Sequence, residues 1–248
     1  MPTPRLFIIR HGETEWSLDG RHTSHTDIPL TPNGEKRVRA TGRALVGRDR
    51  LIVPNNLAHI YVSPRRRAQR TFELLNVGSN ESLPCLQHGI QDEERDDLDC
   101  KAKIEVTSDV REWDYGDYEG ITSKQIREQR EKEGIPGQWD IWADGCPGGE
   151  SPHDITSRLD RLITEIRDKW HKPAMQSQCQ NIPAGDVLIV AHGHILRALA
   201  MRWVGAELEA GPAFILQAGG VGTLRGLSYE HDNIHEPAIL LGSAFTVE

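Results

Sequence analysis

Two histidine–glycine pairs each follow an apolar run that could form a buried strand. Arg10-His11-Gly12-Glu13 comes directly after Leu6-Phe7-Ile8-Ile9, and His192-Gly193-His194 comes directly after Val187-Leu188-Ile189-Val190-Ala191. In open α/β sheets, ligands bind beyond the carboxyl ends of the strands, so we expect the two imidazoles to meet in one crevice. A neutral imidazole can attack phosphorus and form a covalent intermediate that water later breaks. The pattern therefore indicates phosphoryl transfer through histidine.

The chain also contains the fixed positive charges and the carboxyl group that such chemistry needs. Arg10 keeps its charge beside His11 and can bind phosphate oxygens in bidentate fashion. The run Arg65-Arg66-Arg67 begins a predicted helix at a strand end, where backbone N–H groups attract anions, and Arg67 differs from its neighbours because the spacing Ser-x-x-x-Arg-Ala-x-x-Thr matches a known pattern. Glu112 lies in a loop rich in aromatic residues, and a partly desolvated carboxyl can protonate a leaving alkoxide near neutral pH.

Each of these residues also has an ordinary structural explanation. An Arg-His pair at a strand end is weak evidence by itself, and Glu112 could be a surface residue paired with Arg111. The neighbouring arginines 65, 66 and 70 could form a solvated helix face. His192-x-His194 could suggest a metal pair, but no third ligand stands at a plausible spacing, so no metal is expected. The other histidines carry no motif, and we expect surface or structural roles for His25, His59, His88, His153, His171 and His235.

Composition limits the kinds of partner. The 248 residues are 37% hydrophobic and 27% charged, as in an ordinary globular protein. The net charge of −8 argues against nucleic acid as a partner, but a local group of arginines could still bind a phosphorylated small molecule. No apolar stretch approaches the roughly 18 residues of a membrane span, and the predicted first strand leaves no room for a signal peptide. The four cysteines (Cys85, Cys100, Cys146 and Cys179) form no Cys-x-x-Cys pair. We therefore expect reduced thiols, no membrane partner and a cytoplasmic location.

Strands alternate with helices along the chain, which predicts a three-layer α/β/α sandwich with a mainly parallel sheet. Strands are predicted at about 5–10, 60–62, 104–106 and 187–191, with β-like segments after Gly219-Gly220. Helices are predicted to begin at Thr31-Pro32 and at Ser63-Pro64, and to span about 122–133, 152–170 and 194–204. We expect residues 1–248 to form one domain, with a polar surface insertion at about 76–103 and a connection at Met175–Pro183.

The motifs occur in an order that resembles the histidine phosphatase superfamily, which has the phosphoglycerate mutase-like fold. They are Arg10-His11-Gly12-Glu13-Thr14, Ser63 to Thr71 with its Ser-x-x-x-Arg-Ala-x-x-Thr spacing, Glu112 with Gly116 and Gly120, Gly149-Glu150-Ser151, and His192-Gly193. Within the superfamily, the chain is most similar to the fungal-type sedoheptulose-1,7-bisphosphatases. That likeness rests on segments 14–17, 111–120, 192–197, 218–222 and 228–234.

The resemblance implies a role for each matching residue. His11 would be the phosphorylated nucleophile, and Glu112 would be the acid and later the base for water. Arg10, Arg67 and His192 would bind the transferring group. No metal or other cofactor is implied, because arginines and an imidazolium supply the positive charge. The residues implied to hold the sugar and its second phosphate are His22, Thr23, Tyr115, Arg197, His231, Asp232 and Asn233.

The implied activity is hydrolysis of a sugar bisphosphate, with sedoheptulose 1,7-bisphosphate as the expected substrate. A phosphoglycerate mutase, a broad-specificity phosphomonoesterase and an inert phospho-ligand-binding scaffold remain as alternatives. Mutases of the family usually have Thr-Gly where this chain has Thr23-Ser24, and no adjacent arginine pair follows Gly120. His22 stands where the bisphosphatases have tyrosine. No interface is visible in the composition, so no oligomeric state is predicted.

Overall fold

A central sheet of six strands organises the computed structural model, which describes residues 3–79, 83–84, 98–135, 137–176, 184–211, 214–225 and 238–240. The strands are β1 (Arg5–Arg10), β2 (Leu57–Val62), β3 (Lys103–Val106), β4 (Asp186–Ala191), β5 (Val221–Arg225) and β6 (Ala238–Leu240). Their order across the sheet is β3-β2-β4-β1-β5-β6. The first four are mutually parallel, whereas β5 runs antiparallel to β1 and β6 antiparallel to β5. The predicted, mainly parallel sheet is confirmed.

Helices follow the strands. They are α1 (Glu15–Asp19), α2 (Pro32–Leu45), α3 (Arg66–Leu75), α4 (Ser123–Lys132), α5 (Ile141–Asp144), α6 (Pro152–Ile166), α7 (Lys172–Gln176) and α8 (Gly193–Trp203). A π-helical turn, Arg167–His171, extends α6. Thr31 caps α2 with Pro32 at the first helical position, as predicted. The predicted start of α3 at Ser63-Pro64 is wrong, because the N-cap is Arg65 and the Ser63 hydroxyl contacts His192 instead.

The helices cover both faces of the sheet because successive side chains of a strand point to opposite sides. In β1, Leu6 and Ile8 pack in one core cluster with residues of α6 and α8. Phe7 and Ile9 pack in a second cluster with residues of α2 and α3. Burying each such side chain contributes about 1.5–3 kcal/mol. The expected three-layer α/β/α arrangement is thus confirmed.

The register between β1 and β4 decides where the two histidine–glycine pairs lie. Arg10 is paired with Ala191 at the carboxyl ends of the two strands. The His11 backbone N–H then donates to the Ala191 carbonyl oxygen over 2.9 Å. His11 and His192 each stand one residue beyond this last pair, so the parallel pairing places them side by side.

The predicted surface insertion at 76–103 is described only near its ends. There Val77, Leu83, Cys100 and Ala102 are buried and pack in the second core cluster, so these ends belong to the core. These apolar side chains are exceptions in an otherwise polar segment, and they pack against side chains of the sheet. The acidic run 92–97 and most of the predicted 175–183 connection lie outside the described residues. In the described part of the chain, no helix combines the length and apolar character needed to cross a membrane.

Candidate active site

The ring of His11 is buried and has a fixed orientation at the end of β1. Its Nδ1 lies 2.7 Å from the Gly12 carbonyl oxygen. Because that oxygen only accepts, Nδ1 must carry the hydrogen, which leaves the lone pair on Nε2. Burial, followed by the charges of Arg67 and Arg10, holds the pKa of His11 well below its usual value. The ring is therefore neutral near pH 7, the state that a nucleophile requires.

A buried threonine links the His11 loop to helix α3. The Gly12 backbone N–H donates to Thr71 Oγ1 over 2.9 Å, and the same hydroxyl donates to the Arg67 carbonyl oxygen over 2.7 Å. Thr71 is fully buried, so water does not compete for these bonds. This explains why a threonine stands four residues after the arginine in the motif of α3.

His192 lies against His11, with 5.1 Å between ring centroids and an interplanar angle of 62°. Its Nε2 lies 2.6 Å from Ser63 Oγ, and its Nδ1 accepts a hydrogen bond of 3.2 Å from Arg67 Nε. Burial and then the Arg67 charge hold the pKa of His192 well below its usual value. Its surroundings thus favour a neutral imidazole, whereas the family resemblance implied an imidazolium.

Arg67 is almost fully buried, and its guanidinium is occupied by neutral acceptors. Besides His192, it donates to the carbonyl oxygens of Thr26 and Thr23, both over 3.0 Å, and of Ser24 over 3.4 Å. Arg67 and His192 are absent from the residues that line the neighbouring cavity. His192 therefore contacts the His11 ring from outside the cavity wall, and Arg67 in turn contacts His192.

Arg10 lies on the cavity wall and owes its position to a glycine. Its Nη1 donates to the Leu216 carbonyl oxygen over 2.9 Å, while its buried Nε has no hydrogen-bond partner within the described residues. A Cβ atom on Gly193 would lie 3.2 Å from both Cζ and Nε of Arg10. That spacing is tighter than ordinary contact, so the glycine after His192 lets the guanidinium approach.

The carboxyl group of Glu112 contacts the first turn of α8. Oε1 accepts from the backbone N–H of Ile195 over 2.8 Å and of Trp113 over 3.0 Å, and Oε2 accepts from that of His194 over 3.2 Å. The His194 and Ile195 amides belong to the donors that a helix leaves unpaired at its N-terminus. Glu112 is only 6% exposed and still lines the cavity. The alternative explanation, a surface residue paired with Arg111, is wrong: Arg111 pairs with Glu150.

A cavity of about 180 Å³ opens beside His11. The structure brings most of the residues predicted from the sequence to its wall: Arg10, His11, His22, Thr23, Glu112, Tyr115 and Arg197. His231, Asp232 and Asn233 lie outside the described residues. Sequence reasoning missed Thr14, Ser17, Gly20, Arg21, Gly193, His194, Ile215 and Leu216 as wall residues. Arg21 could have been found because it directly precedes His22, whereas no motif marks Ile215.

Imidazole and phenol rings form one side of the cavity. The His22 and Tyr115 rings lie 4.7 Å apart, and Tyr115 Oη lies 2.7 Å from His194 Nδ1. Burial lowers the pKa of His22 to about 4, although the charge of Glu119 opposes the shift. Burial, with His22 and Arg197, likewise holds the pKa of His194 well below its usual value. Both rings therefore offer neutral hydrogen-bonding groups at pH 7.

Positive charge dominates the cavity wall. Its described residues include three arginines, at 10, 21 and 197, but a single carboxyl group, that of Glu112. In a chain of net charge −8, this local excess favours an anionic ligand. Within the described part of the chain, no group of three or more His, Cys, Asp or Glu side chains is arranged to hold a metal ion.

The histidines without a motif lie elsewhere. His59 stacks on Trp170 with 4.5 Å between centroids, and buried His171 contacts the Trp203 ring at 5.7 Å. His25 lies between Asp114 and Arg65. His88 and His235 lie outside the described residues.

Comparison with known proteins gives a consistent result. The model of the histidine phosphatase superfamily (branch 1) matches residues 6–88 and 95–235. The chain is 35% identical to a sedoheptulose 1,7-bisphosphatase of Saccharomyces cerevisiae, over 98% of this chain and 94% of that protein. It is 33% identical to an acid phosphatase of Mycobacterium tuberculosis, over 95% and 91% of the two chains. The solved structure of an open reading frame from M. tuberculosis superposes with a TM-score of 0.67 and 30% identity, over 98% and 99%.

The chain belongs to the histidine phosphatase superfamily. It has the phosphoglycerate mutase-like fold and is a phosphoric monoester hydrolase.

Proposed function

We propose that this protein hydrolyses a sugar bisphosphate, with sedoheptulose 1,7-bisphosphate as its substrate, through a phosphohistidine at His11. The observation that carries the proposal is the state of the His11 ring. It is neutral, its Nδ1 is bound to the Gly12 carbonyl oxygen, and it lines the cavity beside Arg10 and Glu112. An imidazole held in this way has one nitrogen available for attack on phosphorus.

The reaction would take place in two steps. First, His11 Nε2 forms a bond to phosphorus while the ester P–O bond breaks, and Glu112 gives its proton to the leaving alkoxide. Next, Glu112 takes a proton from water as the water oxygen attacks phosphorus, the N–P bond breaks, and inorganic phosphate is released. Charge on the equatorial oxygens would be stabilised by fixed donors, foremost Arg10. Arg67 would contribute its positive field from outside the cavity wall, and the neutral His192 would help to hold the Arg67 guanidinium in place.

Two observations favour a substrate with a second phosphate. Arg21 and Arg197 add positive charge to the wall beyond what one phosphoryl group at His11 needs. The chain is also 35% identical over nearly its whole length to a relative named sedoheptulose 1,7-bisphosphatase. The partner is therefore a small sugar phosphate, and neither nucleic acid nor membrane has a part in the proposal.

A broad-specificity phosphomonoesterase is the second candidate. The similarity to the acid phosphatase of M. tuberculosis favours it, at 33% identity and 95% coverage of this chain. The exposed side chain of Ile215 on the cavity wall offers an apolar surface that could contact an alkyl or aryl phosphate as well as a sugar phosphate.

A phosphate-release screen tests these candidates. Purified protein is assayed with sedoheptulose 1,7-bisphosphate, fructose 1,6-bisphosphate, several sugar monophosphates, 3-phosphoglycerate and p-nitrophenyl phosphate. The proposal requires the highest kcat/KM for a sugar bisphosphate, and similar values for all monoesters would favour the broad-specificity candidate. Isomerised phosphoglycerate without phosphate release would indicate a mutase. Ligand binding without turnover of any compound would indicate an inert scaffold.

A further inference from the structure

The loop formed by residues Thr23–Asp27 is the structural partner of Arg67. It joins the cavity wall at Thr23 to the region before α2. Three of its carbonyl oxygens, those of Thr23, Ser24 and Thr26, accept the terminal N–H groups of the Arg67 guanidinium. The position of this loop therefore determines where the buried guanidinium lies.

Glu119 binds the N–H groups of the same loop. Its Oε2 accepts from the Ser24 backbone N–H and from Ser24 Oγ, both over 2.8 Å, and its Oε1 accepts from the Thr26 backbone N–H over 2.9 Å. Desolvation would raise the pKa of Glu119, but the hydrogen bonds from Thr26 and Ser24 lower it overall. Glu119 is thus a carboxylate at neutral pH, and hydrogen bonds to a charged acceptor are about twice as strong as neutral ones.

Ser24 also contacts Tyr115, which lies on the aromatic side of the cavity. Ser24 Oγ lies 3.4 Å from the Tyr115 backbone N–H, and Ser24 is only 3% exposed. Next to Glu119, the Gly120 N–H donates to the His22 carbonyl oxygen over 2.8 Å, and the His22 N–H donates to that of Ile121 over 3.0 Å. The segment around Glu119 therefore fixes the backbone on both sides of Thr23.

We propose that Glu119 is a positioning residue of the hydrolase site, acting with Ser24. It does not line the cavity. It places the carbonyl oxygens that hold Arg67, and it fixes the backbone that presents His22 and Thr23 to the substrate. This inference rests on the proposed function, because it assigns to Glu119 the placement of that site. It also gives a role to Ser24, the residue that stands where mutases of the family usually have glycine.

The test is Glu119→Gln, a substitution that keeps the shape of the side chain. The amide NH2 would face N–H donors of the loop and leave at least one of them without an acceptor. We expect KM for the sugar bisphosphate to rise by about tenfold, the effect of losing a hydrogen bond to a charged group. For p-nitrophenyl phosphate, which has no second phosphate to contact the His22–Thr23 wall, we expect a smaller rise in KM. The kcat should fall for both substrates because Arg67 loses its fixed acceptors.

Ser24→Ala tests the same contact with a smaller change and applies even if Glu119→Gln does not fold. It removes only the hydroxyl, so the rise in KM should be smaller. The double variant should show less than the product of the two single effects, because both changes remove one shared bond.

Glu35→Gln is the matched control. Glu35 is also a carboxylate held by hydrogen bonds, but its partners are Arg70 and Arg39 on the outer helices. This variant should lose stability while kcat and KM stay at wild-type values. All rates are normalised to active sites, counted as phosphohistidine formed in a rapid-quench burst.

The outcomes separate two kinds of failure. Wild-type kcat and KM per active site in Glu119→Gln and Ser24→Ala would overturn the positioning role, and so would a loss of active sites alone. If the wild-type protein releases no phosphate from any substrate, the proposed function itself is wrong.

Discussion

Replacing Glu112 by glutamine removes an acid and also disturbs a helix N-terminus. The carboxyl group accepts hydrogen bonds from three backbone N–H groups, those of Trp113, His194 and Ile195. Glutamine can keep its single oxygen on the Trp113 and Ile195 amides. Its NH2 group would then face the His194 N–H, and that buried donor would lose its acceptor.

The two consequences have different magnitudes. Loss of a general acid lowers the rate by about 10² to 10⁴, which is about 2.7–5.4 kcal/mol in the barrier at 1.36 kcal/mol per tenfold. An unsatisfied buried donor costs about 1–3 kcal/mol of folding free energy, and each kcal/mol lowers Tm by roughly 2–4 °C in a chain of this size. Glu112→Gln should therefore remain folded at 25 °C with a lowered Tm.

The assay compares leaving groups. The full loss should appear in the rate of phosphohistidine formation from a sugar bisphosphate, whose alkoxide needs a proton. With p-nitrophenyl phosphate, whose leaving group is weakly basic, we expect a loss of less than about tenfold in the same step. The later hydrolysis of the phosphohistidine, in which Glu112 acts as base, should slow equally for both substrates. Equal losses with both substrates in phosphohistidine formation would refute the assignment of Glu112 as the acid. Glu150→Gln is the control, since this buried carboxylate binds Arg111, Arg158 and the Asp114 N–H. It should lower Tm without any dependence on the leaving group.

Further predictions concern the nucleophile, metals, a glycine and a buried histidine. His11→Ala should abolish turnover and phosphohistidine formation, and wild-type rates would end the covalent mechanism. Dialysis against EDTA should leave activity unchanged; a loss that zinc or magnesium restores would show a metal requirement. Gly193→Ala should displace Arg10, which a Cβ would meet at 3.2 Å, and raise KM for all phosphate monoesters; an unchanged KM would show that the guanidinium adapts. Burial and then the Arg167 charge lower the pKa of His171 to about 4, and neither ring nitrogen has a hydrogen-bond partner among the described residues. The unfolded chain binds this proton below about pH 6.5, so stability should fall by roughly 3 kcal/mol in total as the pH drops from about 6.5 to about 4. His171→Leu should remove that part of the pH dependence in urea unfolding, and an unchanged slope would contradict the assignment.

Much of the fold could be predicted from local patterns. The alternation of apolar runs with capped helices gave the sheet, and the Thr31-Pro32 signal located the start of α2 correctly. Ser63-Pro64 misled for a physical reason. A hydroxyl that satisfies an N-cap can equally satisfy a distant imidazole, and here it contacts His192. Isolated apolar residues at the ends of the predicted insertion are buried because they pack against the sheet. The composition of the segment does not reveal this packing.

The chain's own residues determined which chemistry is available. The two His-Gly pairs and Arg10 are recognisable because they stand at the ends of predicted strands, beyond which ligands bind in such sheets. Arg67 and Glu112 are recognisable from the motifs around them. The tertiary structure decided the electrostatic state of these groups and the distances between them. The register of β1 with β4 sets His11 against His192, and burial beside Arg67 keeps both rings neutral. That Arg67 binds loop carbonyl oxygens, and that Glu119 holds this loop, follows from contacts between residues far apart in the chain. No local pattern encodes such contacts, since each depends on how all the layers pack together.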